Sequence, residues 1–241
     1  MNNQKIDITG KVILVTGANR GIGNALVEEA LKRGAKLVYA GVRRPFTHPD
    51  PRVMSLTLDV TNPEQIRQAV EKVESLDILI NNAGVAYYDD LSDRAVIEQH
   101  LAVNLFGTHD MIQAFLPLLL HSRGTIVNNL SMLSLAPLPP IASYSISKAA
   151  ALSMTQSMWA YLAVKGVTVQ AILTGPVDTD MNRGLDIPKI PTEVAAQNIF
   201  DGIELKQEEI FPDPLSKSLA EGWFNSSSKA LERQNAASVS A

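Results

Sequence analysis

Cysteine is absent from the chain. Disulfides and thiolate metal sites are therefore excluded, and a reducing compartment is permitted. Histidine is scarce, with four residues. His100 and His109 fall on one helical stretch, but their separation is not the one-turn spacing of a helical metal pair. All four histidines read as structural or surface residues, and no metal is expected. No apolar run is long enough to span a bilayer. Met1 to Gly10 lacks the basic-then-apolar order of a secretory signal, so a cytoplasmic protein with no membrane partner is expected. An excess of one charge is missing too: 21 basic residues are scattered among 25 acidic ones, for a net charge of -4. A nucleic-acid binder needs clustered Lys and Arg, and nucleic acid is not expected as a partner.

What is present is an ordinary apolar fraction of 46% in 241 residues, enough to bury a substantial core. Short apolar runs alternate with longer segments of helical period, the pattern of a parallel sheet covered on both faces. Strands are expected at Val12–Val15, Leu37–Ala40, Val53–Leu58, Ile78–Ile80, Thr125–Leu130 and Val167–Leu173, with a short seventh around Ile210. Helices are expected at Asn24–Lys32, from Pro63 with Asn62 as its cap, from about Asp93 to Leu120, at Tyr144–Val164 and at Thr192–Leu205. With no repeat and no mid-chain shift of composition, residues 1–241 read as one doubly wound α/β domain of three layers. A mobile lid is expected at about 180–192. The Ser- and Ala-rich tail from about Ser216 is expected to be partly disordered or to pack on a neighbour, although Trp223 and Phe224 argue against complete disorder.

The first chemical signal is Thr16-Gly17-Ala18-Asn19-Arg20-Gly21-Ile22-Gly23, between the first strand and the first helix. Glycines there let the backbone turn sharply beside a pyrophosphate, and the helix start offers unpaired N–H groups. A tight strand-to-helix turn in any α/β protein would also want glycine. A nucleotide-hydrolase loop is disfavoured, since no Gly-Lys-Ser/Thr follows. Four residues apart on a later helix, Tyr144 and Lys148 share a face. A nearby ammonium favours phenolate and should bring the tyrosine from about 10 toward the working range. Taken alone, such a pair is commonplace on helix surfaces.

The three residues between Gly17 and Gly21 depart from the usual dinucleotide fingerprint, and the loop resembles that of the short-chain dehydrogenase/reductase family. The same resemblance extends over Asn81-Asn82-Ala83-Gly84, Asn104, Ser131 and the Tyr144-x-x-x-Lys148 pair, covering about Lys11 to Met181. It implies a Rossmann fold and an oxidoreductase that interconverts a carbonyl compound and its alcohol. By resemblance Ser131 bonds the substrate carbonyl, Tyr144 transfers the proton, Lys148 holds the nicotinamide ribose beside Tyr144, and Asn104 anchors a water leading to Lys148. The bland alternatives are a strand-end hydroxyl capping a turn for Ser131, with Ser134 as competitor, and a buried amide for Asn104. Gly17, Asn19, Arg20, Gly21, Ile22 and Gly23 would cradle the cofactor phosphates, and Asn82, Ala83 and Gly84 would line the adenosine side.

An NAD reader places an acid at the end of the second strand, whereas an NADP reader omits it and supplies arginine. Here the position is Gly41, followed by Arg43 and Arg44, and Arg20 can approach the same 2′-phosphate. NADP(H) is therefore favoured over NAD(H), with simple solvated charge as the other reading of the arginines. Asp59 and Val60 match the adenine-edge contact; a helix-capping approach is the alternative for Asp59. After the sixth strand the family has Pro-Gly, whereas this chain has Thr174-Gly175, followed by Val177 and Thr179 at the positions that contact the carboxamide. Met132, Leu133, Leu138, Ile141, Met181 and Leu185 suggest a hydrophobic substrate, and ordinary core is their other reading. A homodimer or homotetramer is expected through the two long helices. A different class of protein, an NADP(H)-sensing regulator without turnover, remains the alternative function.

Overall fold

The computed structural model describes residues 5–184 and 186–239; Leu185 and the lid position it holds lie outside the described residues. Seven strands, β1 (Val12–Thr16), β2 (Leu37–Val42), β3 (Val53–Thr57), β4 (Ile78–Asn81), β5 (Thr125–Asn129), β6 (Thr168–Ile172) and β7 (Glu209–Ile210), form one sheet. Their order is β3-β2-β1-β4-β5-β6-β7 and every neighbouring pair is parallel. Parallel sheets have both faces covered, so their strands are apolar without alternation; all five residues of β1 are buried. The arrangement is the doubly wound Rossmann type read from the sequence.

Helices α1 (Gly21–Lys32), α2 (Pro63–Lys72), α3 (Arg94–Leu101), α4 (Thr108–Ser122), α5 (Ala142–Ala163) and α6 (Thr192–Glu204) cover the sheet. On one face Leu26 and Ala30 of α1 and Ile199 and Phe200 of α6 pack with Ile13, Val15 and Ile80. On the other Ile66 of α2, Phe115 of α4 and Leu162 of α5 pack with Leu14, Leu79 and Ile126. Asn62 caps α2 as the sequence indicates, accepting from the N–H groups of Glu64 and Gln65. The strand order reverses between β1 and β4, which places a crevice at the carboxyl ends of these strands.

Two expectations about helices are corrected. The stretch from Asp93 to Leu120 is not one α-helix, because Ala102–Gly107 is wound as a π-helix between α3 and α4. Such a segment widens the turn and redirects side chains: Asn104 reaches the backbone of Val85, and Gly107 sits so close to Val60 that a Cβ would lie 2.6 Å from Val60 Cγ2. The first helix begins at Gly21 rather than at Asn24, so the last two loop glycines form its first turn.

The expectation of partial disorder in the tail is also corrected. The tail forms α7 (Pro214–Phe224) and α8 (Ser227–Ala237), and both sit on the chain itself. Asp213 and Ser216 make a reciprocal capping box with Pro214 at the first helical position, and Ser226 caps α8 by accepting from Lys229 N. Trp223 packs toward Leu130, Leu173 and Phe211. Lys229, fully buried, donates to Glu209 at 2.6 Å and to Glu232, and lies 3.0 Å from Glu208. Breaking such a set strands the remaining charges, at a cost of about 3–5 kcal/mol. Lys229→Ala should therefore lower the unfolding free energy by about that amount in a urea titration, whereas Lys217→Ala, on exposed α7 surface, should change it little.

Candidate active site

The glycine loop is built by contact. Gly17 and Gly21 adopt positive φ of 67° and 54°, where side chains are disfavoured. Gly23 admits no side chain at all, since a Cβ would fall 2.1 Å from Gly17 O and 2.6 Å from Asn82 Nδ2. Gly17 N donates to Gly41 O, so the loop is bonded to the end of β2. A backbone so bare, opening onto the first turn of α1, fits a dinucleotide pyrophosphate. Asn19 and Arg20 are exposed at the tip, whereas Ile22 turns into the core.

The β2 end fits the 2′-phosphate reading in composition. Gly41 is buried and presents no carboxylate; a Cβ there would lie 2.8 Å from Leu58 Cδ2. Arg43 and Arg44 are exposed beyond it. Arg20 is held 3.7 Å from Asp180, an exposed pair worth little. Asp59 serves the local turn, with Oδ1 accepting from Thr61 N and Thr61 Oγ1 just ahead of the Asn62 cap. Val60 is buried against Gly107.

A row of polar side chains crosses the carboxyl ends of four strands. Thr16 Oγ1 accepts from Asn82 N and Ala83 N, and Asn82 Nδ2 donates to Thr16 O at 3.0 Å. Asn129 Nδ2 donates to Asn82 Oδ1 at 2.9 Å, and Thr174 Oγ1 donates to Asn129 Oδ1 at 2.8 Å. One layer away, Asn81 Nδ2 donates to Asn128 Oδ1 and Asn128 Nδ2 to Thr155 Oγ1. Asn128, Asn129 and Thr155 were not singled out from the sequence, because nothing local distinguishes such a polar side chain from any other.

Helix α5 brings Tyr144 and Lys148 to the end of β5. Lys148 Nζ lies 5.7 Å from the Tyr144 ring centroid and donates to Asn129 O at 2.8 Å. The Ser131 hydroxyl lies close enough to the Tyr144 phenol to favour its ionised form; it accepts from Leu133 N and donates to Thr174 O. The turn-capping reading of Ser131 is thus correct in geometry, alongside its contact with Tyr144. Ser134 makes no such contact, and its hydroxyl is buried without a partner. Asn104 accepts from Val85 N and donates to Val85 O and Ser147 Oγ. Gly84 lies between these groups: its Cβ would stand 3.2 Å from Asn104 Oδ1 and 3.6 Å from Lys148 Nζ.

The electrostatics differ from the expectation that Lys148 acidifies Tyr144. Burial pushes the Tyr144 phenol above its ordinary value, opposed by the bond to Ser131. Burial instead lowers Lys148, to about 8. Around them, His100 is buried, accepting from Tyr87 N and donating to Val96 O, with its ring 6.4 Å from that of Tyr144. Asp89, another residue not singled out, accepts from Ser143 N and Oγ and so caps α5 from 54 positions upstream.

On the far side of the crevice, Thr179 packs on Gly21, where a Cβ would stand 3.3 Å from Thr179 Cγ2. Val177 is buried and pairs with Ile190. Gly175 N donates to Asp213 Oδ2 at 2.7 Å, so the cap of α7 also holds this loop. A cleft of about 390 Å³ lies among Gly21, Thr179, Asp180 and Thr192. Met132, Leu133 and Ile141 are half-buried and Leu138 and Met181 exposed, so none is interior core.

Residues 11–188 match the family described as short chain dehydrogenase. A short chain dehydrogenase from Burkholderia cenocepacia, solved in complex with NADP, superposes with a TM-score of 0.87 at 38% identity, covering 95% of this chain and 98% of that one. The 3-oxoacyl-[acyl-carrier-protein] reductase FabG of Vibrio cholerae is 32% identical over 75% of this chain and 79% of its own length. Estradiol 17-beta-dehydrogenase 2 of Mus musculus is 34% identical over 76% of this chain, which spans 52% of that protein. The matched stretch contains both the glycine turn and the Tyr144 helix, and on that agreement of sequence and fold the chain belongs to the short-chain dehydrogenases.

Proposed function

We propose that this chain is an NADP(H)-dependent oxidoreductase that interconverts an aldehyde or ketone and its alcohol, with Tyr144 as the general acid and base. The observation that carries the reading is the contact between the Ser131 and Tyr144 hydroxyls, with Lys148 over the tyrosine ring and Gly84 alongside. A regulator that only sensed the dinucleotide would have no need of that arrangement.

The residues that would hold the cofactor are the bare backbone of Gly17, Gly21 and Gly23 at the pyrophosphate, Asn82, Ala83 and Gly84 on the adenosine side, and Lys148 at the nicotinamide ribose, with Val177 and Thr179 toward the carboxamide. Bound nicotinamide supplies the hydride in reduction and accepts it in oxidation. Ser131 Oγ turns its single hydrogen from Thr174 O, 3.4 Å away, to the substrate carbonyl oxygen. Tyr144 Oη gives its proton to the same oxygen as it becomes an alkoxide, a role that its burial suits because the phenol stays protonated at neutral pH. Lys148, charged below about 8, stabilises the phenolate left behind. Asn104 holds the Gly84 side of this pair in register through Val85 and Ser147. The partly exposed Met132, Leu133, Ile141 and Met181 favour a hydrophobic substrate, and the 180–192 segment would close over it. Phe106 in the π-helical segment, Tyr161 on α5 and Val164 at its end, apolar and exposed, support a homodimer or homotetramer.

Three measurements test this reading. In an absorbance assay at the nicotinamide band with benzaldehyde, acetophenone and ethyl acetoacetate, Tyr144→Phe should lose at least about 100-fold in kcat while still binding NADPH; near-wild-type turnover would remove the assignment. Reduction requires Lys148 charged, so its rate should be full below about pH 8 and fall as the pH rises through that value. A kcat profile flat to about pH 10 would exclude Lys148 from the step. The absence of an acid at Gly41, the exposed Arg43 and the NADP-bound relative favour NADP(H). Arg43→Glu should therefore raise KM for NADPH by about tenfold or more and leave KM for NADH little changed, one charge-assisted phosphate contact being worth about 1.5–3 kcal/mol; equal effects on both would count against 2′-phosphate recognition.

A further inference from the structure

Lys148 and Ser131 are both fastened to one pair of residues, Asn129 and Thr174, to which the sequence assigns no role in the site. Lys148 Nζ donates to the main-chain carbonyl of Asn129 at 2.8 Å, and the Ser131 hydroxyl donates to the main-chain carbonyl of Thr174 at 3.4 Å. Met132 N bonds the same Thr174 carbonyl at 3.0 Å. Asn129 and Thr174 are in turn joined through their side chains, Thr174 Oγ1 donating to Asn129 Oδ1 at 2.8 Å. The amide of Asn129 is thus held at both ends, by Thr174 through oxygen and by Asn82 through nitrogen. Its side chain fixes how the residue sits, and with it the direction of the carbonyl that receives the ammonium. Thr174 is 7% exposed, so water is a poor substitute for its hydroxyl. It stands where the resemblance would have proline, which carries no hydroxyl.

We propose that Thr174 and Asn129 form a positioning clamp for the catalytic pair, Asn129 aiming Lys148, and Thr174 holding Asn129 through its hydroxyl and the turn that carries Ser131 through the bond from Met132 N to its carbonyl. The proposal rests on the catalytic reading of Tyr144, Ser131 and Lys148 given above. Neither clamp residue touches the reacting atoms. They act through Lys148 and Ser131, and through Asn82 they bind the nicotinamide-side loop to the glycine loop. Removing the Thr174 hydroxyl leaves Asn129 Oδ1 without this donor in a part-buried site and frees the peptide that Lys148 leans on.

The test compares Thr174→Val, close in shape but without the hydroxyl, with Thr174→Ser, which keeps it. Three readouts are taken: kcat for NADPH-driven reduction of the best panel carbonyl compound, the NADPH dissociation constant by fluorescence titration, and the thermal midpoint. Losing one net hydrogen bond from the aligned state corresponds to about a tenfold fall in kcat for Thr174→Val, with NADPH affinity within about twofold of wild type and Thr174→Ser restored. The hydrogen bond that Lys148 Nζ donates to Asn129 O favours the charged form of the lysine, so the basic limb of the Thr174→Val profile should also move toward lower pH. Wild-type kcat in Thr174→Val overturns the clamp, as does a loss that Thr174→Ser shares. A loss that tracks NADPH affinity or the thermal midpoint makes the pair a contact for binding or folding, and equally overturns it. Tyr144→Phe in the same assay separates the two claims: if Tyr144→Phe is inactive and Thr174→Val normal, only the clamp fails, whereas an active Tyr144→Phe removes the catalytic reading itself.

Discussion

Parallel strands that end side by side leave their last peptide groups without a further strand to bond, and here those ends are also where the crevice must stay open. The row Thr16, Asn82, Asn129, Thr174 answers both demands. Each member bonds across to the next strand end, so the loops after β1, β4, β5 and β6 are tied to one another by side chains rather than by more sheet. The glycine loop depends on this directly. Asn82 Nδ2 occupies the space that any side chain on Gly23 would need, while donating to Thr16 O. Glycine at that point is thus a packing requirement set by Asn82 as well as a means of approaching phosphate.

The same strand ends set the electrostatics of α5. Lys148 is buried with its amine on a main-chain carbonyl, and among the described residues no carboxylate bonds it. An ammonium without a countercharge in such surroundings gives up its proton more easily, which accounts for the fall to about 8. The conventional picture of lysine dragging down a tyrosine therefore needs its sense restated for this chain. Both groups are moved by burial toward their neutral forms, the phenol upward and the amine downward. Their proton affinities, nearly equal in water, are thereby drawn apart, so that near neutral pH the phenol holds its proton firmly while the amine stands close to losing one.

Much of this was legible in the sequence for a plain reason. The strands, the helix starts at Pro63 and Thr192 and the Tyr144/Lys148 spacing are local, and local chemistry decides them. The π-helical stretch was not, because it answers to Val85, Ser147 and Val60, which touch Asn104 and Gly107 only after folding. The tail was misjudged through its composition. Ser and Ala suggest disorder, but Asp213-Pro214-x-Ser216 is a helix start in its own right, and Lys229 finds Glu209 only because β7 presents it. Asp89 capping α5 leaves no trace that reading along the chain could detect.

The Thr174 position shows how such long-range dependence bears on chemistry. Read along the chain, it is a departure that puts the path after β6 in question. In the fold the path is kept by other means: Gly175 N is held by Asp213, and Leu173 N bonds Ile210 O. A Cβ at Gly175 would stand 2.3 Å from Asp213 Oδ1, so the carboxylate fixes this turn whatever residue precedes it. Once β7 and the α7 cap hold the backbone, position 174 no longer has to be stiff and is open to a hydroxyl that bonds sideways to Asn129. The folded tail and the polar residue beside Lys148 are then two parts of one arrangement, in which the C-terminal helices secure the loop and the loop's side chain is left to serve the neighbouring strand.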